Sequence, residues 1–266
     1  MSQPSLVLAN AGFEAPSPAD FELRDIFYGH QVLLTKLSLL LVLGAILAFV
    51  FLRVTSYRAA VVPSRVQYLG EQFYSYVRNG IAQDSIGGQD YSKYVALLVS
   101  LFSFLLINNC FGIVPVLQMA PFSRVGFAYG LAALVWIIYN SVGVARHGFV
   151  GYLKHQTKPA GVPSVMLLLI VPLEFLSNIL VRPITLSLRL FANMFSGHLL
   201  LLLFASGAQY LLFDATGSIV VKPAGALAFI LGILVGLLEF IVEVLQAYVF
   251  TLLTAQYIGG ALASEH

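Results

Sequence analysis

Two long apolar stretches in the carboxyl-terminal half of the chain constrain its fold more than any other feature. They cover residues 165–204 and 223–262, about 40 residues each, and neither contains a convincing polar turn in its middle. At 1.5 Å per residue, a helix of that length measures about 60 Å, twice the hydrocarbon core of a bilayer. Excess length is accommodated by tilting or kinking. We therefore expect two long, strongly tilted helices that form a hairpin over residues 163–262.

The composition places this hairpin in lipid. Of the 266 residues, 59% are hydrophobic and only 10% are charged, whereas soluble domains contain about 25% charged residues. Such a surface is suited to lipid rather than water. Cys110 is the only cysteine, so neither an intrachain disulfide nor a cysteine metal cluster is expected. The sequence predicts an all-α integral membrane protein with no bound metal or cofactor.

Three shorter apolar segments precede the hairpin, at residues 32–52, 94–117 and 127–145. Each is long enough to cross a bilayer once. Together with the two long stretches they predict five membrane-spanning helices. We see no internal repeat or linker, and therefore expect one membrane domain over residues 1–266.

A different pattern lies between the first and second spans, at residues 61–83. Apolar side chains recur there at spacings of three and four, which predicts an amphipathic helix lying in the membrane interface. A helix packed on a soluble partner remains the alternative. The residues of this apolar stripe are Val66, Leu69, Phe73, Tyr76, Val77 and Ile81.

The distribution of Lys and Arg predicts the orientation. Eight lie on one side of the five spans and four on the other, and the richer side is expected to be cytoplasmic. The N-terminus would then be outside and the C-terminus inside. Residues 1–30 carry more acidic than basic side chains and no cleavable signal pattern, so we expect them to form an external segment.

Ionisable side chains occur within both long stretches, although a charge at the centre of a membrane helix costs from about 2.5 to more than 10 kcal/mol. Such residues usually mark an ion or proton path. In an ideal helix several polar residues lie within about 60° of Arg189, whereas His198 lies roughly 180° away. The ionisable residues are Glu174, Arg182, Arg189, His198, Glu239 and Glu243, with Asn193 and Gln246 as polar neighbours.

Each of these residues also has a structural interpretation. Arg182 could form a salt bridge with Glu174 near a bend at Pro183, or snorkel. Arg189 could be held in a buried ion pair with Glu239 or Glu243, and His198 could be a hydrogen-bonded core histidine. Six ionisable residues in two consecutive spans nevertheless favour an ion path.

Enzyme chemistry finds little support in the chain. It contains no H-E-x-x-H, no glycine-rich phosphate loop and no G-x-S-x-G. Ser196 and His198 are two positions apart and point about 200° away from each other on a helix, so they do not form a nucleophile and base. No basic run suggests binding to nucleic acid. We expect a membrane protein that is not catalytic by itself.

Four motifs in order resemble the subunit a family of rotary F-type ATP synthases, in its bacterial form. The two strongest are PLEFLSNILVRPITLSLRLFANMFSGHLL and EFIVEVLQAYVFTLLTAQYIGGAL. The segments VPSRVQYLGEQFYSYVRNGIA and NNCFGIVP also fit family positions. The resemblance covers nearly the whole chain. It implies two tilted helices that face a rotating ring of c subunits, contact with the subunit b peripheral stalk, and a location in the bacterial plasma membrane.

The resemblance also implies roles for individual residues. Arg189 matches the essential arginine that faces the ring and separates two offset half-channels. His198 and Glu239 match a pair lining the outer half-channel, in which many members have glutamate first and histidine second. The remaining matches are Asn193 and Gln246 near the arginine, Arg182 at a basic position, and Glu174 and Glu243 as half-channel lining.

Two other classes of membrane protein remain possible on sequence alone. A secondary transporter also uses intramembrane Arg and Glu, but often shows repeats and broken helices. A structural scaffold needs no charged stripe. The choice between H⁺ and Na⁺ would be set largely by the partner ring, and stays open.

Overall fold

The computed structural model describes residues 36–57, 60–88, 90–114, 117, 119–157, 164–214 and 221–263. The predicted external segment at 1–30 lies outside the described residues. The described chain divides into two compact units. The small unit is Ser196–Glu239, and the large unit is made of the described residues before Ser196 and after Glu239. Each unit is considered by itself, and the prediction of one membrane domain stays a prediction.

The described chain is all-α, as predicted, and contains no strand. Short π-helical segments occur at Arg78–Gln83, Ser177–Val181 and Tyr210–Asp214, and a 3₁₀ turn at Pro121–Ser123. The α-helices are α1 (Lys36–Ser56), α2 (Arg65–Val77), α3 (Asp84–Ile86), α4 (Tyr91–Cys110), α5 (Val125–His147), α6 (Phe149–Thr157), α7 (Ser164–Leu176), α8 (Arg182–Gln209) and α9 (Val221–Leu262).

Five helical stretches of the described chain are long and apolar enough to cross a membrane, which confirms the predicted number of spans. The fourth, Leu169–Phe213, is 45 residues long, and α9 has 42 residues without a break. At 1.5 Å per residue, α9 is about 63 Å long. The second span ends at Cys110 rather than at residue 117, and the helix α6 was not predicted.

The amphipathic segment forms α2, whose N-terminus is capped by the Ser64 hydroxyl, which accepts from the Gln67 backbone N–H at 3.3 Å. The ring of Phe73 packs between Phe51 of α1 and Phe102 of α4, with centroid distances of 5.4 and 5.2 Å. Val66, Leu69 and Tyr76 of the predicted stripe stay exposed, with Leu69 at 63%, whereas Val77 and Ile81 are buried. An exposed apolar side fits the interfacial position, which remains a prediction.

In the large unit, one face of α8 joins the core. Leu186, Leu190 and Met194 are at most 2% exposed and pack with residues of α4, α5 and α9. Their spacing of four places them on a single helical stripe. Arg189, which lies between Leu186 and Leu190 in sequence, is exposed on another side of the helix.

In the small unit, α8 and α9 form a close antiparallel hairpin, as predicted. A Cβ added at Gly232 would lie 3.3 Å from Cβ of Phe204, and one added at Gly225 would lie 2.9 Å from Cγ of Leu212. These glycines allow the two backbones to approach, which is a common device where helices pack in membranes.

Candidate functional site: the polar residues of α8 and α9

His198 and Glu239 are in direct contact within the small unit. The Nδ1 atom of His198 lies 3.1 Å from Oε1 of Glu239, and each side chain is only 4% exposed. The sequence placed these residues on different helices 41 positions apart, and the antiparallel hairpin brings them together. The predicted pair is therefore a buried imidazole–carboxylate contact.

Gly197 makes room for this pair. A Cβ at that position would lie 2.6 Å from Oε1 and 2.9 Å from Cδ of Glu239, closer than van der Waals contact permits. The glycine thus lets the carboxylate lie against the backbone of α8, next to His198. Sequence reasoning missed this role of Gly197.

The pair has the groups needed to exchange a proton. The imidazole either donates from Nδ1 or, when protonated, donates from both nitrogens, and histidine titrates near neutral pH. The second carboxylate oxygen of Glu239, Oε2, is buried and has no hydrogen-bond partner among the described residues. A buried polar atom without a partner carries a desolvation penalty of about 1–3 kcal/mol, so a hydrogen-bond donor placed at this oxygen would be stabilising.

Arg189 is placed differently, on the exposed face of α8 in the large unit. Its exposed neighbours are Thr185, Leu188 and Ala192, which follow the helical spacing of three and four. No carboxylate oxygen in the described part of the large unit lies within 4.0 Å of its guanidinium nitrogens. The alternative of a buried ion pair with Glu243 is therefore not found.

Asn193 and Gln246 connect α8 to α9 in the large unit. Nδ2 of Asn193 donates to Oε1 of Gln246 at 2.8 Å. Gln246 is 3% exposed, and its Nε2 finds no hydrogen-bond partner within the described residues. Two residues predicted from the sequence are thus brought together. Of these, Asn193 lies four positions beyond Arg189 on α8.

Glu243 is almost fully buried in the large unit, with 1% exposure. Its backbone carbonyl accepts a hydrogen bond from Nδ2 of Asn109 at 3.1 Å, which ties α4 to α9. Asn109 is itself fully buried. Sequence reasoning missed this residue, although an asparagine pair, Asn108 and Asn109, inside an apolar span was a visible signal.

Arg182 contacts an aromatic ring rather than an acid. Its guanidinium carbon lies 5.1 Å from the ring centroid of Tyr257 on α9, within the range of a cation–π interaction. Glu174 is partly exposed, and the described residues show no ion pair between it and Arg182. The salt-bridge interpretation of Arg182 is therefore not found.

A polar network that the sequence did not reveal lies beside Arg182. The Tyr139 hydroxyl donates to the backbone carbonyl of Asn178 at 3.2 Å, and Nδ2 of Asn178 donates to the carbonyl of Gln156 at 2.8 Å. The Tyr152 hydroxyl donates to Oδ1 of Asn140 at 3.1 Å. Burial raises the pKa of Tyr152 above its ordinary value, so the phenol stays protonated and keeps donating.

Among the described residues, no group of three or more His, Cys, Asp or Glu side chains is arranged to hold a metal ion.

Comparisons with known proteins agree on one family. The model of the family described as ATP synthase A chain matches residues 37–259. A protein named ATP synthase subunit a from a Nocardioides species is 51% identical over 265 residues, which cover 96% of this chain and 95% of the relative. Proteins of the same name from Pseudarthrobacter chlorophenolicus and Streptomyces lividans are 45% and 37% identical. They cover 87% and 98% of this chain, and 86% and 92% of their own lengths.

Proposed function

Because this chain belongs to the ATP synthase A chain family, we propose that it provides two offset half-channels to a ring of c subunits. It is a membrane subunit of the proton-translocating part of the ATP synthase, and its described residues form five helical stretches long enough to span the bilayer. In the proposal, protons enter through one half-channel, bind to ring carboxylates that carry them around, and leave through the other half-channel. The flow turns the ring and drives ATP synthesis.

The observation that carries the proposal is the exposure of Arg189 on an otherwise largely apolar face of the large unit. An arginine keeps its charge at any physiological pH, and a charge facing lipid is costly. A carboxylate supplied by another subunit would satisfy it. A nearby cation favours the ionised state of such a carboxylate and lowers its pKa, so each passing ring carboxylate would release its proton there.

The fixed charge of Arg189 also explains why the two half-channels would not leak into each other. A proton moving directly past it would meet electrostatic repulsion. Protons then cross only by way of the ring, and each charge moved through the membrane potential releases about 2.3 kcal/mol per 100 mV. This energy becomes available for rotation only if the direct route is closed.

His198 and Glu239 act as the proton relay of the outer half-channel in this proposal. Their 3.1 Å contact and the unpartnered Oε2 of Glu239 support a relay in which a proton moves between imidazole and carboxylate. Asn193 and Gln246 hold α8 and α9 together near Arg189, while Glu174 and Glu243 line the half-channels.

The chain is proposed to lie in the bacterial plasma membrane with its N-terminus outside, its C-terminus in the cytoplasm, and the subunit b stalk as a further partner. The eight-to-four distribution of Lys and Arg supports this orientation. A cysteine introduced at Ala263 in a Cys110→Ser background would be labelled by a membrane-impermeant maleimide only from the cytoplasmic side. Labelling from the outside would reverse the assignment.

The decisive experiment replaces Arg189 by alanine in the complete ATP synthase, assayed in inverted membrane vesicles. We expect ATP synthesis and ATP-driven proton pumping to fall at least about 100-fold, because the ring carboxylate loses its electrostatic partner. ATP hydrolysis by the catalytic head and membrane insertion of the subunit should be retained.

Arg53→Ala is the matched control, since Arg53 is also an exposed arginine, at the end of α1. Coupled synthesis that survives in the Arg189→Ala enzyme would reject the proposal in favour of a scaffold. A secondary transporter would instead lose uptake of a solute while ATP synthesis stayed unchanged.

A further inference from the structure

The π-helical turn Ser177–Val181, at the start of α8, has an identifiable cause. The backbone N–H of Arg182 donates to the carbonyl of Ser177, five residues earlier, and Pro183 has no N–H to donate. The carbonyl of Asn178 therefore receives no hydrogen bond from either residue. It is satisfied instead by the Tyr139 hydroxyl at 3.2 Å, which comes from α5.

The same turn is held from a second direction by α6. Nδ2 of Asn178 donates to the carbonyl of Gln156 at 2.8 Å, and Nε2 of Gln156 donates to the Tyr152 hydroxyl at 2.7 Å. The ring of Tyr152 fills the space left by Gly143 on α5. Hydrogen bonds from two neighbouring helices thus fix a turn that an isolated helix would not favour.

Arg182 is the first residue after this turn, and its direction depends on it. Its guanidinium carbon lies 5.1 Å from the ring centroid of Tyr257 on α9. Tyr139, which bonds the turn, also packs its ring 5.5 Å from that of Tyr257, at an interplanar angle of 54°. The hydrogen-bonded turn and the cation–π contact are therefore linked through the packed rings of Tyr139 and Tyr257 and form a single assembly.

This assembly lies on one side of Arg189 along α8, and a second contact lies on the other. Arg189 follows Arg182 by seven residues, about two helical turns. Asn193, four residues further on, donates to Gln246 of α9 at 2.8 Å. Two contacts between α8 and α9 therefore bracket Arg189.

We propose that Arg182 is a positioning residue. Its cation–π contact with Tyr257, which the π-helical turn keeps in place, holds α8 against α9 so that Arg189 stays turned outward. The proposal rests on the proposed function of Arg189 and assigns Arg182 a role outside the proton path. It requires the Tyr257 ring but not its hydroxyl. A relay through Tyr257 would require the hydroxyl, and this difference separates the two roles.

The test uses conservative and non-conservative variants of both partners in the complete ATP synthase, with ATP-driven proton pumping in vesicles as the readout. Tyr257→Phe keeps the ring and Arg182→Lys keeps a cation, so both should retain most of the pumping. Tyr257→Leu and Arg182→Met abolish the contact and should each lower pumping by about ten-fold. The double variant Arg182→Met/Tyr257→Leu should be no worse than either single variant, because both remove the same contact.

Tyr129→Leu is the control for the loss of a tyrosine, since Tyr129 is exposed on α5 at 37% and should leave pumping unchanged. Pumping that falls as far in Tyr257→Phe as in Tyr257→Leu would overturn the proposal in favour of a hydroxyl relay. A double variant whose loss equals the product of the two single losses would overturn it as well, because the partners would then act independently.

A second readout separates this proposal from the proposed function. The temperature at which the detergent-solubilised complex releases this subunit should fall by a few degrees in Tyr257→Leu and Arg182→Met, and no further in the double variant. If Arg189→Ala keeps coupled synthesis while these shifts are non-additive, the proposed function fails and the contact stands. If the shifts are additive and the Arg189→Ala enzyme is inactive, the contact fails and the proposed function stands.

Discussion

The small and the large unit place the ionisable residues of the candidate site differently. The small unit buries His198 and Glu239 against each other, so that the base and the acid are both supplied by this chain. The large unit exposes Arg189 and buries Glu243 together with the neutral amides Asn109 and Gln246. The buried pair of the small unit is supplied by this chain alone, whereas we propose that another subunit supplies the partner of Arg189.

This difference follows from what each group can do when it is desolvated. A buried carboxylate and imidazole can move a proton between them and reduce their charge. An arginine has no such option, and burying it requires a fixed anionic partner in the same chain. In the proposed function, keeping Arg189 at the surface lets successive ring carboxylates act as its partner.

Among the substitutions that test this comparison, the largest effect is expected from Glu239→Gln. The amide preserves the size and a hydrogen bond to His198 but cannot exchange a proton. Proton transfer by a positioned side chain contributes about 100- to 10,000-fold, so we expect ATP-driven proton pumping to fall by at least about 100-fold. Initial rates of fluorescence quenching in inverted vesicles measure this.

The matched double exchange, His198→Glu with Glu239→His, keeps one imidazole and one carboxylate at the same contact. It should recover a substantial part of the pumping that Glu239→Gln loses. Full pumping by the Glu239→Gln enzyme would remove Glu239 from the relay and leave the small unit with a structural pair only.

A smaller effect, about ten-fold on pumping, is expected from Gly197→Ala. The added methyl would lie 2.6 Å from Oε1 of Glu239, so the carboxylate has to leave its contact with His198. Alanine is favoured over glycine inside a helix by about 1 kcal/mol, so the helix itself should not be weakened. A loss of pumping would therefore report the displaced carboxylate.

Gly236→Ala provides the control for that substitution in the same unit. Its added Cβ would meet only Cδ2 of Leu201 at 3.6 Å, an ordinary van der Waals contact, and pumping should be unchanged. Equal losses in Gly197→Ala and Gly236→Ala would show that the hairpin tolerates no added volume anywhere. The special position of Glu239 against Gly197 would then be refuted.

The spans were predictable because apolar length is a local property of the sequence. The five stretches, including the unbroken α9, follow from hydrophobicity and bilayer thickness alone. α6 escaped prediction because it has only nine residues and its polar Lys154 and Gln156 suggested a loop. It starts directly after Gly148, whose φ of 73° reverses the chain at the end of α5.

Sequence reasoning identified the residues of the candidate site better than it predicted their arrangement in space. The angular positions on α8 assumed one continuous α-helix, whereas the π-helical turn at Ser177–Val181 adds a residue and rotates Glu174 by about 100° relative to Arg189. That turn depends on a hydroxyl from Tyr139, 39 residues earlier. The local pattern of polar and apolar residues in the sequence does not encode such a contact. The approach of Glu239 to Gly197 likewise depends on the packing of two helices.

Gly197 also restricts how this sequence can evolve. Every other amino acid would add a Cβ where the carboxylate of Glu239 lies. A lineage that loses the glycine must therefore shorten or redirect the side chain at position 239, and a lineage that lengthens residue 239 must keep the glycine. Substitutions at the two positions are thus expected to arise together, as correlated changes between α8 and α9 rather than as independent drift.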